Sequence, residues 1–367
     1  MTGLLVHEWL ERAGGSENVF EKISEAFPEA ERWCLWNDAP ERFSEVRETV
    51  LSRTPLRRSK AASLPLMPPV WRNLPRSDAE WILVSSHLFA HHARFRGAAR
   101  HAEKFVYAHT PARYIWAPEL DARGRSAVAR VASRGLKPLD RRRAQEASRI
   151  AANSRFVADR IEDAWDRHAT VIYPPVEVTE ISKPQALTSA EEATLRQLPS
   201  DFVLGVSRFV PYKRLDAAID LGRVNNMPVV LAGSGPEAAH LRDYGHRTHR
   251  GAVSIVDKPS TPLLRAIYAR ASVLAFAPVE DFGIIPVEAM AAGTPVIANA
   301  VGGAAESVQD GTSGALVHDW ASHDELRSAF ERAVLATPAA CREVASGFDS
   351  AVFVRKIREF VRSEGGS

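Results

Sequence analysis

The chain has 367 residues, 45% hydrophobic and 25% charged, which fits a soluble globular protein of two domains better than one oversized core. Its two cysteines, Cys34 and Cys341, form no metal or redox spacing, and no run approaches the ~20 apolar residues of a membrane span. The net charge of +2 hides an asymmetry: residues 51–150 hold 20 Lys+Arg against 7 Asp+Glu, whereas residues 1–50 hold 5 against 11. One face is therefore expected to meet an anionic partner. Nucleic acid is excluded as that partner, because no groove-reading motif or aromatic-basic platform accompanies the charge.

The first elements are a strand at Leu4–Val6 and a loop, Gly14-Gly15-Ser16, that feeds a helix burying Val19, Phe20 and Ile23. The start lacks the basic opening and long apolar run of a signal peptide, so the expected location is cytoplasmic. Further strands are predicted at 33–36, 81–86, 104–110, 149–154 and 169–176, with helical patterns between several of them. The polar stretch 180–200 marks the boundary between a domain of residues 1–185 and a second of 186–347. In the second, strands are predicted at 202–208, 228–235, 253–257, 272–278 and 295–299. Helices are predicted near 214–223, 236–243, 261–270, 286–292 and 303–309. Short apolar strands alternating with helices specify an α/β fold with parallel sheets, here two doubly wound Rossmann-like domains facing a central cleft. The amphipathic end, 348–367, is expected to pack back on the first domain.

Several strand ends carry polar residues where a ligand would sit. In "VEDFGIIPVEAMAAGTPVIA" (279–298), Pro286 suits a first helical turn and Gly293 a stop. Phe282, Gly283, Ile284 and Ile285 then stand at a helix entrance, with free N–H groups suited to a diphosphate. Glu288 is expected in the first turn, either holding a vicinal diol such as a ribose or only complementing the helix dipole. Glu280 either reaches a more distal part of the ligand or lies in a solvated loop. Arg208 and Lys213, around a Pro-Tyr turn, can converge on one anionic group. Gly233, in "LAGSGPE", lies in a glycine-rich turn that lacks full phosphate-loop spacing. The glycines of "VGGAAESV" open another helix. His109, in "YAHTPARYIW", either meets a substrate at a strand end or is satisfied by packing between Tyr107 and Tyr114. His91, His92 and the Arg141–Arg143 run are expected on the solvated surface. No HExxH, cysteine cluster or DxD triplet occurs, so no metal is expected. Residues 56–75 mix Arg57, Arg58 and Lys60 with Leu64, Leu66, Met67 and Trp71, which suits either an anionic bilayer surface or an ordinary loop.

With "GGSENVFEKI", "VSSHLFA", "ANSRFVADRI", "VIYPPV" and "SRFVPYKRLDAAI" added, the chain resembles the retaining glycosyltransferases of family 4, which have the GT-B fold. The likeness extends over nearly the whole length and is closest to bacterial polysaccharide mannosyltransferases. It implies a nucleotide-sugar donor, GDP-mannose first, and a glycan or lipid-linked acceptor, with no cofactor and no bound metal. By that resemblance Arg208 and Lys213 hold the diphosphate, Glu288 the ribose and Glu280 the sugar hydroxyls. His109 would lie beside the transferred sugar, and Gly14-Gly15 near the diphosphate and acceptor. A UDP-sugar donor, a sugar-nucleotide epimerase and a two-lobed solute-binding protein are the competing readings.

Overall fold

The computed structural model describes residues 2–116, 127–250 and 252–362. They divide into two compact units, one of Met1–Pro175 with Ala351–Ser367 and one of Val176–Ser350. The first junction, after Pro175, falls ten residues before the boundary at 185/186 taken from sequence. At that junction Val176 N–H donates to Phe348 O and Ser350 N–H to Val176 O, at 3.1 and 2.9 Å.

Unit 1 is built on strands β1 (Gly3–His7), β2 (Glu31–Cys34), β3 (Val46–Glu48), β4 (Trp81–Ser86), β5 (Glu103–Ala108), β6 (Arg149–Ala152) and β7 (Thr170–Val171). They form one sheet, β3-β2-β1-β4-β5-β6-β7, in which every pairing is parallel. Helix α1 (Gly15–Ala26) turns Val19, Phe20 and Ile23 inward, as the 3.6-residue period requires. Helices α2 (Ala127–Ala144) and α3 (Arg155–Trp165) follow. Strand β3 escapes the sequence reading because its Val-Arg-Glu segment is a charged, largely exposed edge, with no alternation to betray it.

Unit 2 contains β8 (Val203–Val206), β9 (Val229–Gly233), β10 (Val253–Asp257), β11 (Val273–Phe276), β12 (Val296–Asn299) and β13 (Gly314–Val317). The order β10-β9-β8-β11-β12-β13, all parallel, is the doubly wound 3-2-1-4-5-6 arrangement. Besides the helices Val178–Ile181 and Ser189–Gln197, which precede the sheet, the helices are α4 (Leu215–Val224), α5 (Ala238–His249), α6 (Thr261–Arg270), α7 (Ile284–Ala292), α8 (His323–Ala333) and α9 (Pro338–Ser346). The predicted helix at 303–309 is a single 3-10 turn, Gly303–Glu306. The last helix, α10 (Ser350–Arg362), belongs to the first unit, where Phe353, Ile357 and Phe360 are buried with Leu5, Leu83, Phe105 and Tyr107. Residues 363–367 lie outside the described part.

Several side chains placed on the surface from sequence lie inside. Residues 50–71 form a chain of short 3-10 and α turns, and Met67 and Trp71 are fully buried in the core of unit 1. They are not available to a bilayer. Of the basic residues there, Arg57 is paired with Asp38, and Lys60 with Glu11 at 2.9 Å while lying over the Trp9 ring.

His91 and His92 are likewise not on the surface but buried, at 0% and 1% exposure. They face the buried Asp140, each with Nε2 3.1 Å from Oδ1, while the indoles of Trp116 and Trp165 donate to Oδ2 at 2.8 and 2.7 Å. Burial opposes ionising the carboxyl, but the two histidines and their hydrogen bonds outweigh it and hold Asp140 far below the usual carboxylate range. Arg141 is structural too: it donates to Ala164 O and Asp163 O, the last carbonyls of α3. Removing a buried charge that satisfies several donors strands those donors. Asp140→Ala is therefore expected to destabilise unit 1 by ~3–5 kcal/mol, read as a lowered thermal midpoint with loss of near-ultraviolet tryptophan dichroism. An unchanged midpoint would show that the cluster contributes nothing.

Candidate functional site

In unit 2 the strand order reverses between β8 and β11, and a doubly wound sheet binds its ligand at such a switch point, beyond the strands' carboxyl ends. The loops leaving these two strands carry Arg208, Lys213, Glu280 and the entrance of α7. Lys213 ends the 3-10 turn Pro211–Lys213, and its Nζ pairs with Glu280 Oε1, both groups largely shielded. Arg208 is exposed and donates from Nη2 to the Tyr212 hydroxyl at 2.6 Å, while Lys213 Nζ lies 5.2 Å from the Tyr212 ring centre. Tyr212 thus ties the two cations together. It is 56% exposed, and in the sequence it reads only as part of a turn.

Helix α7 begins at Ile284, two residues before the predicted start, because Gly283 at φ +88° serves as its N-cap in a conformation that ordinary side chains resist. Pro286 becomes the third residue of the helix, where its missing N–H still costs no helical bond. The N–H groups of Gly283, Ile284 and Ile285 have no acceptor among the described residues. The Phe282 side chain is buried, its ring 5.6 Å from that of Phe348, so this residue can offer a ligand only backbone. The loop is braced from the next connection: Gly303 N–H donates to Glu280 O at 2.8 Å, and a Cβ on Gly303 would lie 2.1 Å from Asp281 O. Gly233 has a comparable packing duty, since a Cβ there would lie 1.9 Å from Ser207 O in the loop that carries Arg208.

Glu288 falls in the second turn of α7, not the first, and is half-buried. Tyr268, on α6, donates its hydroxyl to Glu288 Oε2 at 3.1 Å and leaves the other oxygen without a partner among the described residues. Burial raises the Glu288 pKa, with the Tyr268 hydrogen bond and the Arg265 charge pulling the other way. Tyr268 and Arg265 lie more than 17 residues upstream, and no local spacing signals them.

In unit 1 the reversal falls between β1 and β4, which pair with His7 opposite Ser85. His7 Nδ1 lies 3.0 Å from Ser85 Oγ, and Ser85 Oγ lies 2.8 Å from His109 Nε2. His87 completes the group, its ring centre 5.6 Å from that of His7 and 6.2 Å from that of His109. His7 Nε2 is buried without a partner, and a bare lone pair is tolerated there better than an orphaned N–H. His7 therefore donates from Nδ1 to Ser85, which donates to His109 Nε2, and His109 keeps its proton on Nδ1 as a donor. Burial lowers the His87 pKa to about 3 and that of His109 to about 4, so both are neutral at neutral pH. The packing contact expected from Tyr107 is present at 5.3 Å, while the Tyr114 side chain lies outside the described part.

Beside this group Glu8 is fully buried and accepts the N–H groups of Leu88 and Ala90 at 2.9 and 2.6 Å. Burial raises its pKa to about 7, against those hydrogen bonds. Gly14 caps α1 in an extended conformation, and Gly15 is the first residue of that helix. The buried Glu17 carboxylate lies so close that a Cβ on Gly14 would stand 2.0 Å from its Oε2. Only His91, His92 and Asp140 form a metal-sized group among the described residues, and their bonds to Asp140 account for the clustering. Sequence reading thus named His109 but missed Ser85 and His87, some 20 residues upstream, and His7 and Glu8, some 100 residues upstream, all brought to it by strand pairing.

Comparison with known proteins decides the family. Residues 13–180 match the family described as Glycosyltransferase Family 4, and residues 189–343 the one described as Glycosyl transferases group 1. The chain belongs to glycosyltransferase family 4. This family 4 chain is 31% identical over 185 residues to a D-inositol 3-phosphate glycosyltransferase of Mycolicibacterium gilvum, covering 47% of the chain and 41% of the relative. It is 30% identical over 236 residues to a GDP-mannose-dependent alpha-(1-6)-phosphatidylinositol monomannoside mannosyltransferase of Mycobacterium tuberculosis, covering 58% and 60%. The chain thus spans about half the length of the curated relatives it matches. Among solved structures, Anabaena HepE in complex with UDP has a TM-score of 0.70 at 18% identity, over 99% of this chain and 100% of that one. The lipopolysaccharide outer core galactosyltransferase WaaB has the same score at 16% identity, over 99% of each chain. These likenesses establish the fold as GT-B.

The depressed histidines also set an acid limit. His87, His92 and His109 titrate at about 3, 4 and 4 when folded, against ~6.5 unfolded, and burial lowers His7 in the same direction. Between those values the unfolded chain binds more protons, so stability falls as pH drops below ~6.5 towards 4. Glu8, raised to about 7, works in the opposite sense over an overlapping range but is one group against four. The thermal midpoint of unit 1 should therefore drop steadily from pH 6.5 to 4.5, and less steeply in His87→Phe. A flat profile would refute the buried neutral histidines.

Proposed function

We propose that this family 4 chain is a retaining glycosyltransferase that moves a hexose from a nucleotide sugar, GDP-mannose first, to a glycan or lipid-linked acceptor. The carrying observation is the switch point of unit 2, where Arg208, Lys213 and three unpaired backbone N–H groups lie on adjacent loops. Such a set suits a diphosphate and has no evident structural task. Glu288, held at one oxygen by Tyr268, keeps the other for a ribose hydroxyl. The M. tuberculosis relative's GDP-mannose dependence supports the choice of donor, and no metal is assigned a role.

Breaking the glycosidic bond leaves positive character on the sugar and builds negative charge on the departing diphosphate. Arg208, Lys213 and the α7 entrance are fixed before the reaction, so they stabilise that charge without reorganising. In this reading Glu280, the partner of Lys213, takes sugar hydroxyls as Lys213 turns to phosphate. Neutral His109 donates from Nδ1 to a sugar oxygen, oriented by Ser85 and His7. Gly14 and Gly15 are assigned near the diphosphate and acceptor, and Gly233 supports the Arg208 loop. Retention follows if the leaving phosphate deprotonates the acceptor on the same face of the sugar.

Arg208→Ala and Lys213→Ala are each expected to lower transfer about 100-fold or more, the size seen when one charge-stabilising donor is lost. Near-wild-type turnover in either would remove the assignment. Glu288→Ala should weaken nucleotide binding in calorimetry while leaving the fold intact. A thermal-shift series with GDP, UDP and ADP tests the donor: the largest rise is expected with GDP, and a larger one with UDP would replace mannose from GDP-mannose with a UDP-sugar.

A further inference from the structure

A second concentration of positive charge lies wholly within unit 1, at the amino ends of β4 and β5. A cavity of about 420 Å³ opens there, lined by Arg72, Arg94, Arg100, Lys104, Arg142 and Arg143, with Glu146 as its single acid. Lys104 is the second residue of β5, five residues before His109, so at ~3.3 Å per residue the cavity is ~16 Å from that histidine. It lies at the opposite end of the sheet from the switch point.

The charges inside are not balanced. Glu146 serves three of the cations at once, pairing with Arg72 at 2.5 Å, Arg143 at 2.8 Å and Lys104 at 3.3 Å. The guanidinium groups of Arg94, Arg100 and Arg142 have no hydrogen-bond or ion-pair partner among the described residues. Lys104 is only 7% exposed, and Arg143 Nε is buried with no acceptor. Cationic residues commonly complement the end of a helix, which accounts for Arg143 in the last turn of α2. It does not account for Arg72, Arg94, Arg100 and Lys104, which come from other segments and converge on the same space. Like charges gathered and partly desolvated around one carboxylate repel one another unless an anion joins them.

We propose that this cavity is a binding site for a phosphorylated group, a phosphate or diphosphate, separate from the nucleotide-sugar site. Arginine forks match phosphate oxygens in pairs, and Lys104 supplies a point charge at the floor. The phosphate can be carried by an anionic lipid headgroup or by a soluble metabolite, and both present the same oxygens. The proposal does not depend on the function assigned to unit 2.

The test uses the full chain carrying Arg208→Ala and Lys213→Ala, so that any phosphate bound in unit 2 is weakened beforehand. Inorganic pyrophosphate is titrated by calorimetry into this protein, then into versions that add Arg94→Ala with Arg142→Ala, or Arg58→Ala with Arg76→Ala. The first pair removes two unpartnered cavity groups, and the second removes the same charge from exposed positions elsewhere. Binding that falls more than about tenfold for the first pair and is unchanged for the second is expected. In parallel, sedimentation with phosphatidylcholine vesicles, with and without phosphatidic acid, identifies the carrier. Selective loss of acidic-vesicle binding in the cavity pair assigns a headgroup, whereas pyrophosphate binding without vesicle binding assigns a soluble phosphate. The absence of both, or equal losses in the two pairs, overturns the proposal. Arg142→Glu alone serves as a second variant should the cavity pair unfold, and it should abolish binding on its own.

Discussion

Among the described residues every strand pairing in the two sheets is parallel, and this one constraint places almost everything else. Parallel strands need a crossover after each strand, so carboxyl ends of strands and amino ends of helices gather at the same edge. Where the order reverses, two connections leave in opposite directions and a crevice opens between them. In unit 2 that crevice receives Arg208 and Lys213 from one connection and Gly283–Ile285 from the other. In unit 1 it receives His7 and Glu8 against Ser85, Ser86 and His87. The chemistry differs, yet the geometry that assembles it is the same.

The two crevices are organised by different forces. That of unit 2 is open and cationic, and its loops are held by backbone approaching backbone, as where Gly303 meets Asp281. That of unit 1 is held by buried side chains whose protons are fixed by their neighbours. A histidine kept neutral by burial cannot be a charge, but it can be a directed donor. The chain from His7 through Ser85 to His109 decides which nitrogen does the donating.

Much of the fold was legible because β4 and β10 and the helix Thr261–Arg270 are apolar or amphipathic over their whole length, with clear boundaries. The short polar edge β3 and the four-residue β13 carry too little pattern to register. At the site, Arg208, Lys213, Glu280 and the α7 entrance were readable because each lies within a few residues of a strand end or helix start. Tyr268, Ser85 and His7 were not, since what brings them to Glu288 and His109 is pairing between distant segments. His91 and His92 misled for a related reason: a pair of adjacent histidines reads as polar surface until Asp140 and two indoles are folded around it. Residues 56–75 show the same limit, for composition alone does not reveal that Met67 and Trp71 turn inward.

The ion pair between Lys213 and Glu280 has one more consequence. With no ligand present, the lysine already has a counterion tethered to the next loop, so an incoming anion enters by displacement. A singly charged anion would replace one monovalent partner with another and gain little. A group of higher charge that also engages Arg208 and the free N–H groups can displace the carboxylate and release it to face the rest of the ligand. The pair thus acts as a threshold on valence, set by the protein before any substrate arrives.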